Sequence, residues 1–225
     1  MTKSKSRVAF ISGASRGIGQ AIKTTFEQNE IEVIAPRRCE LDLADPQSIR
    51  NYFLNVPRDV DIVVNCAGIN ILSSFEQLNM DEMHQVFQTN FFSAVQILQE
   101  FLPGMRERHY GRIVNIESLY SLISKEKRIS YAASKSALSG LTKTLAVEYG
   151  RHNVLVNAVL PGYVLTEMTE KNLTELDIQR IVGRIPLGRL AHPDEIAELV
   201  LFLCSDKNSY VTGQLIVADG GFISN

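Results

Sequence analysis

The chain has 225 residues, 45% of them hydrophobic and 21% charged, with a formal net charge of -2. That length supports one sizeable core in a single domain over 1–225, and the near-neutral balance excludes a global basic field that would recruit nucleic acid or an anionic membrane. The three cysteines (Cys39, Cys66, Cys204) and four histidines (His84, His109, His152, His192) lie far apart without ligand spacing, so no metal is expected and the cysteines read as reduced, buried thiols of an intracellular protein.

Lys3, Lys5 and Arg7 precede only the short apolar run 8–11, too short for a signal-peptide core. No stretch approaches the roughly 18 apolar residues of a membrane span, so a cytoplasmic location is expected. Residues 7–12 read as a buried strand. Gly13-Ala-Ser15-Arg16-Gly17-Ile18-Gly19 follows, then a helical pattern through Ile22 and Phe26. Strand, glycine-rich turn and helix open a dinucleotide-binding unit, here with the spacing Gly-x-x-x-Gly-x-Gly. Glycines let backbone approach a pyrophosphate, and the helix start offers free N–H donors and a positive dipole end. A tight turn without a ligand uses glycines equally well.

Residues 32–35 read as the second strand. The chain then reaches a helix over 47–54 after about ten residues, where a parallel crossover normally needs a dozen or more. A helix is therefore missing between strands 2 and 3, and any strand at 40–42 is expected to be vestigial. Residues 61–65 are a buried strand closed by Cys66-Ala67-Gly68. A long helical pattern spans 81–108, with Pro103 a candidate interruption. Residues 112–117 form a strand, 118–130 a loop, and Leu138, Leu141, Leu145 and Tyr149 mark the next helix. A strand over 154–160 stops at Pro161-Gly162. A mobile segment is expected over 163–190, then a helix over 193–204 opened by Pro193, and a last strand over 215–218. Asn172-Leu173-Thr174 matches a glycosylation acceptor and reads as chance. The alternation of strands and helices indicates an α/β fold with a parallel sheet covered on both faces.

Tyr131 and Lys135 stand four residues apart at the head of a helix, so both side chains can face one cleft. A free phenol, with a pKa of roughly 10, is a poor acid or base near neutrality. A cation about 4 Å away, at an effective dielectric near 20, favours the phenolate by about 4 kcal/mol, or about three pKa units, before desolvation opposes it. On these two residues alone, a helix-face aromatic beside a solvated lysine is the other reading.

Gly13-x-x-x-Gly17-x-Gly19, Asn65-Cys-Ala-Gly68, Asn90, Ser118, Tyr131-x-x-x-Lys135 and Pro161-Gly162-x-x-x-Thr166 occur in that order. Together they resemble the short-chain dehydrogenase/reductase family, and most of all its 3-oxoacyl-[acyl-carrier-protein] reductase type, over nearly the whole chain. The resemblance implies a Rossmann-like doubly wound sheet and a homodimer or homotetramer formed through the long helix and the Tyr131 helix. It implies that Tyr131 exchanges a proton with the substrate oxygen, that Lys135 lowers its pKa and binds the nicotinamide ribose, and that Ser118 holds the substrate oxygen. Asn90 is expected to hold a water of a proton relay behind Lys135. Asn65, Ala67 and Gly68 are expected at the cofactor; Asn65 could otherwise stabilise the sheet, and the two roles are compatible. Asp42 and Leu43 fall at the adenine, and Pro161, Gly162, Val164 and Thr166 at the nicotinamide. Glu117 departs from the small residue common before the serine; it either repels anionic substrates or points away.

An acid after the second strand would bond both ribose hydroxyls of NAD. Arg37 and Arg38 stand there instead, with Arg16 in the glycine turn, and arginines suit a phosphate. NADP(H) is therefore expected, against a reading in which Glu40 or Asp42 takes the ribose. The expected activity interconverts a carbonyl and a secondary alcohol, on a 3-oxoacyl thioester or on a sugar nucleotide or other polar metabolite; a dinucleotide-binding regulator is the non-catalytic alternative. The substrate is small or carrier-bound. Lys125, Lys127 and Arg128, with Arg106, Arg108 and Arg112, either welcome an acidic partner or are ordinary solvated charges.

Overall fold

Six short apolar runs form the strands β1 (Val8–Ser12), β2 (Glu32–Ile34), β3 (Ile62–Asn65), β4 (Gly111–Ile116), β5 (Val154–Pro161) and β6 (Leu215–Ala218). The computed structural model describes residues 6–56, 59–167, 169 and 173–224; Lys3, Lys5 and the Asn172 of the glycosylation match lie outside them. All pairings are parallel, in the order β2-β1-β3-β4-β5-β6. Ser12 of β1 pairs with Asn65 of β3, and Asn65 with Asn115 of β4. The chain leaves β1 to one side for β2 and returns to its other side for β3. A crevice therefore opens beyond the carboxyl ends of β1 and β3, where open α/β sheets bind ligands.

Successive strand residues point to opposite faces. Ala9, Ile11, Ile62, Val64 and Val114 pack on α1 (Gly17–Gln28) and on the late helix Pro193–Cys204. Phe10, Val63, Ile113 and Val156 pack on α2 (Pro46–Phe53), on the long helix before β4 and on the Tyr131 helix. The sheet is thus covered on both faces, as doubly wound folds require.

No strand forms at 40–42; the vestigial strand expected there is instead a turn. The N–H groups of Glu40 and Leu41 bond the Arg37 carbonyl, and Asp42 N–H donates to Ser48 Oγ. Leu41 and Leu43 point inward and are buried against Phe10, Phe53 and Phe101, so two leucines do the covering that a crossover helix would do. Cys39, on the same turn, is exposed, which corrects the expectation of three buried thiols.

The 81–108 pattern becomes α3 (Met80–Phe87), one π turn (Gln88–Phe92) and α4 (Ser93–Arg108) without a break. Pro103 does not interrupt α4. It and Gln99, whose carbonyl loses its donor, are both exposed, so water takes the freed oxygen. The remaining helices are α5 (Ile129–Tyr149), α6 (Glu175–Val182) and α7 (Pro193–Cys204). The expectation of an irregular mobile segment over 163–190 misses α6, which begins with a capping box between Thr174 and Asp177. Among the described residues no helix is long and apolar enough to cross a membrane.

Candidate active site

A cleft of about 390 Å³ runs from the glycine turn, past the ends of β3 and β4, to the head of α5. Its first wall follows from close packing. Gly13 adopts φ 74°, and a Cβ there would lie 2.6 Å from the Ala67 Cα, so only glycine lets the turn after β1 lie against the end of β3. Ser12 Oγ locks the same junction by accepting from Cys66 N–H at 3.2 Å and Ala67 N–H at 3.4 Å. No pattern in the sequence signals that role of Ser12. At the N-terminus of α1, Arg16 makes no side-chain cap and the first turn holds no acid. Free N–H donors and a positive dipole end therefore face the cleft, which fits the pyrophosphate of a dinucleotide.

Gly13, Ser15, Arg16, Gly17, Ile18 and Gly19 line the cleft, as do Arg38, Asp42, Leu43, Ala67, Gly68, Pro161, Gly162, Val164 and Thr166. Arg37 and Asn65 do not. Arg37 turns to Glu40, whose carboxylate accepts its backbone N–H at 2.8 Å. Asn65 donates to Asn115 Oδ1 at 2.9 Å, and Asn115 to Thr142 Oγ1 of α5 at 2.9 Å. Asn65 thus ties the sheet to the helix that carries Tyr131 and Lys135, the sheet-stabilising reading left open above.

Ser118, Tyr131 and Lys135 line the inner end of the cleft. Lys135 is buried, and its Nζ donates to the Ile116 carbonyl at 2.7 Å while standing 5.9 Å from the Tyr131 ring centroid. A Cβ on Gly68 would come within 3.2 Å of that Nζ. Burial lowers the Lys135 pKa, with the charges of Cys66 and Glu117 opposing. The Tyr131 pKa is raised, first by burial; Ser118 beside it and the Arg128 charge pull the other way. This corrects the expectation of a phenol made acidic by its lysine. With the ammonium engaged by a backbone carbonyl, desolvation outweighs the Coulomb gain.

The π turn presents Asn90 to the end of β3. Its Oδ1 accepts from Ile69 N–H at 2.8 Å, and its Nδ2 donates to the Ile69 carbonyl and to Ser134 Oγ, each at 3.0 Å. Asn90 thus fixes the loop after β3 against α5. A π turn inside a helix commonly marks such a site. Glu117 lines the cleft and points away from the substrate side: Oε2 accepts from Ser139 Oγ at 2.7 Å, and burial raises its pKa.

A second cavity, of about 110 Å³, adjoins Ser118 and Tyr131 and is walled by Leu119, Tyr120, Ile123, Tyr163, Leu173 and Phe222. The hydroxyls of Tyr120 and Tyr163 lie 3.1 Å apart. Arg128 opens onto this cavity, whereas Lys125 and Lys127 are exposed. Arg108 pairs with Asp59 at 3.1 Å, and Arg112 bonds the carbonyls of Gly111 and Asn153. Arg106, Arg108 and Arg112 sit where α4 enters β4, at the amino end of the strand and opposite the site, so they do not join the 125–128 charges in one patch.

A family described as enoyl-(acyl carrier protein) reductase matches residues 35–223. The 3-oxoacyl-[acyl-carrier-protein] reductase FabG of Thermotoga maritima is 36% identical over 241 residues, covering 96% of this chain and 98% of its own. The acetoacetyl-CoA reductase of Shinella zoogloeoides is 35% identical over 236 residues, with the same coverage. A crystal structure from Beutenbergia cavernae, described as a candidate NAD(P)-dependent gluconate 5-dehydrogenase with bound NADP, is 32% identical with a TM-score of 0.92 and covers 99% of both chains. The glycine turn, the Ser118–Tyr131–Lys135 cluster and these relatives agree: the chain belongs to the short-chain dehydrogenase/reductase family, enzymes acting on CH–OH and C=O groups.

Proposed function

We propose that this protein uses NADP(H) to interconvert the carbonyl of a 3-oxoacyl compound and the corresponding secondary alcohol. The observation that carries the reading is that Ser118, Tyr131 and Lys135 meet at one end of a cleft whose other end is an uncapped helix N-terminus flanked by Arg16 and Arg38. The relatives named for 3-oxoacyl and acetoacetyl-CoA reduction support the substrate class. In reduction, one hydride and one proton add to the carbonyl, and the cofactor when bound supplies the hydride.

The residues of this chain do the rest. The Tyr131 phenol, protonated at neutrality as an ordinary phenol is, gives the proton to the substrate oxygen. The Ser118 hydroxyl donates to the same oxygen as negative charge grows there. Lys135 supplies a fixed positive charge beneath the phenol and donors for the nicotinamide ribose. Asn90 leaves one Oδ1 lone pair free for a water behind Lys135, enough to pass a proton from solvent. Because the donor is the protonated phenol, reduction is flat through neutrality and falls as pH passes the phenol pKa, whereas oxidation rises with pH. Arg16 pairs with Glu167 and Arg38 with Asp42, both exposed, at 3.3 and 3.4 Å. Such pairs contribute up to ~1 kcal/mol, so a ribose phosphate displaces the carboxylates readily. A cytoplasmic homodimer or homotetramer, assembled through α4 and α5, completes the reading; light scattering checks the assembly.

The test is NADPH consumption with acetoacetyl-CoA, acetoacetate and methyl acetoacetate, alongside crotonyl-CoA as an enoyl control. Tyr131→Phe is expected to lower turnover by roughly 10²–10⁴-fold while the fold, read by circular dichroism, stays intact. Full activity in that variant, or reduction of crotonyl-CoA alone, overturns the reading.

A further inference from the structure

Arg128 is 8% exposed, and among the described residues no carboxylate, carbonyl or hydroxyl accepts from its guanidinium. Its guanidinium lies over the Tyr120 ring, with Cζ 5.5 Å from the centroid, and its charge also acts on Tyr131. A buried charge without a counter-ion is strongly unfavourable, and a single cation–π contact offsets little of that. The position is nonetheless built. Ser73 N–H donates to the Lys127 carbonyl at 3.2 Å, Ser73 and Arg128 form a parallel bridge, and the Arg128 carbonyl accepts from Ala132 N–H at 2.8 Å. The backbone is thus pinned on both sides, at the residue before α5.

Arg128 lines the 110 Å³ cavity, which also holds Ser118 and Tyr131, as well as an outer pocket with Lys125 and Lys127, and it is absent from the wall of the larger cleft. It therefore stands on the substrate side of the site, away from the cofactor cleft. Asn70 lines the same cavity, and among the described residues its buried Oδ1 has no hydrogen-bond partner; turning the amide presents its NH₂ to an anion. Leu119, Ile123, Leu173 and Phe222 make the apolar part of the wall, and Tyr120, Tyr163 and Thr169 bring hydroxyls to it. The Tyr120 ring stands 6.3 Å from that of Tyr131 and 5.5 Å from Arg128 Cζ, so the cation and the phenol neighbour one aromatic ring and line the same cavity.

We infer that the substrate carries a carboxylate a few carbons from its reducible carbonyl, and that Arg128 with Asn70 binds it: the site takes a short free oxo acid. This rests on the reading above that Ser118 and Tyr131 hold the carbonyl oxygen. A thioester placed there is neutral next to the guanidinium and leaves it unpaired. A carboxylate meets the planar fork with two parallel hydrogen bonds and supplies the missing counter-charge. The reaction itself is unchanged: the carboxylate neither gains nor loses a bond.

The inference is read by calorimetry on the protein saturated with NADP⁺, where no reduction can occur. Acetoacetate is expected to bind roughly 10- to 100-fold more tightly than methyl acetoacetate, the range of a charge-assisted hydrogen bond. Arg128→Gln is expected to abolish that ratio, and Arg128→Lys to retain part of it. In turnover with NADPH, the acid-over-ester and acid-over-acetoacetyl-CoA preference in kcat/KM falls with the same variants. Equal binding of acid and ester by the wild type, which needs no variant, overturns the inference. So does a variant that shifts the pH profile of ester reduction while leaving the acid preference intact, since Arg128 then acts through Tyr131 alone. Absence of turnover on every carbonyl probe with a persisting acid preference in binding sinks the reductase reading and leaves the carboxylate site standing.

Discussion

The two sides of the site hold arginines in opposite circumstances. At the adenine end Arg16, Arg37 and Arg38 are 63–79% exposed, and each is matched to a carboxylate, Glu167, Glu40 or Asp42. At the substrate end Arg128 is buried, and among the described residues no carboxylate pairs with it. Exposed arginines cost little to keep and are free to exchange partners. A buried one is a standing liability unless something outside the chain answers it. Identical side chains thus say different things: the first group shows which ligand is tolerated, the second which ligand is required.

The largest effect that would break this comparison is at the adenine end. Reversing both cleft-lining charges, Arg16→Glu with Arg38→Glu, is expected to weaken NADPH about 100-fold, while NADH changes by less than about threefold. Arg37→Glu, away from the cleft, is expected to shift either cofactor by no more than about twofold. Cofactor titrations of the three variants decide it, and a strong effect of Arg37 would mean that the turn at 37–40 rearranges. Next comes stability at the substrate end. Arg128→Met keeps the volume and removes the unanswered charge, so the unliganded protein is expected to gain about 1–3 kcal/mol in urea unfolding. Arg37→Met is expected to change it by less than about 0.5 kcal/mol. A loss of stability at Arg128 would show that its stem, not its charge, matters most.

The same contrast explains what could be read from the chain alone. Gly13 to Gly19, Ser118, Tyr131 and Lys135 sit at fixed short spacings on elements whose period the sequence displays, so the nucleotide end and the reacting cluster were legible. So was the missing helix after β2, from chain length. What was not legible depended on burial and direction. Arg37 and Arg38 look alike in sequence, yet one bond from Glu40 turns the first away. Arg128 looked like Lys127, one residue before it, and is buried where Lys127 is exposed. Tyr131 was expected to be acidic because its lysine is one turn away, and helical spacing carries no information that the ammonium would spend its shortest bond on Ile116. The capped helix at 175–182 was hidden by the glycines and prolines that follow it.

Glu117 probes the comparison with the opposite charge. It is as buried as Lys135; one oxygen is held by Ser139, and among the described residues the other has no hydrogen bond within range, with Ser121 beside the carboxylate. Its folded pKa is raised, first by burial, above the ordinary 4.5. For an acid shifted in that direction the fold prefers the protonated form. The native state therefore suffers no penalty well below pH 4.5, and loses stability as pH climbs through the raised pKa. Glu117→Gln keeps the shape and the bond to Ser139 without the charge. It is expected to raise the melting temperature near neutrality, by an amount that shrinks as pH falls and vanishes below the ordinary carboxyl range. Scanning calorimetry of both proteins across that range gives the sign. A variant that is less stable at neutral pH would mean that Lys135 and Lys143 together repay the burial of the carboxylate, making Glu117 a counter-ion within the cleft, which is the arrangement that Arg128 lacks.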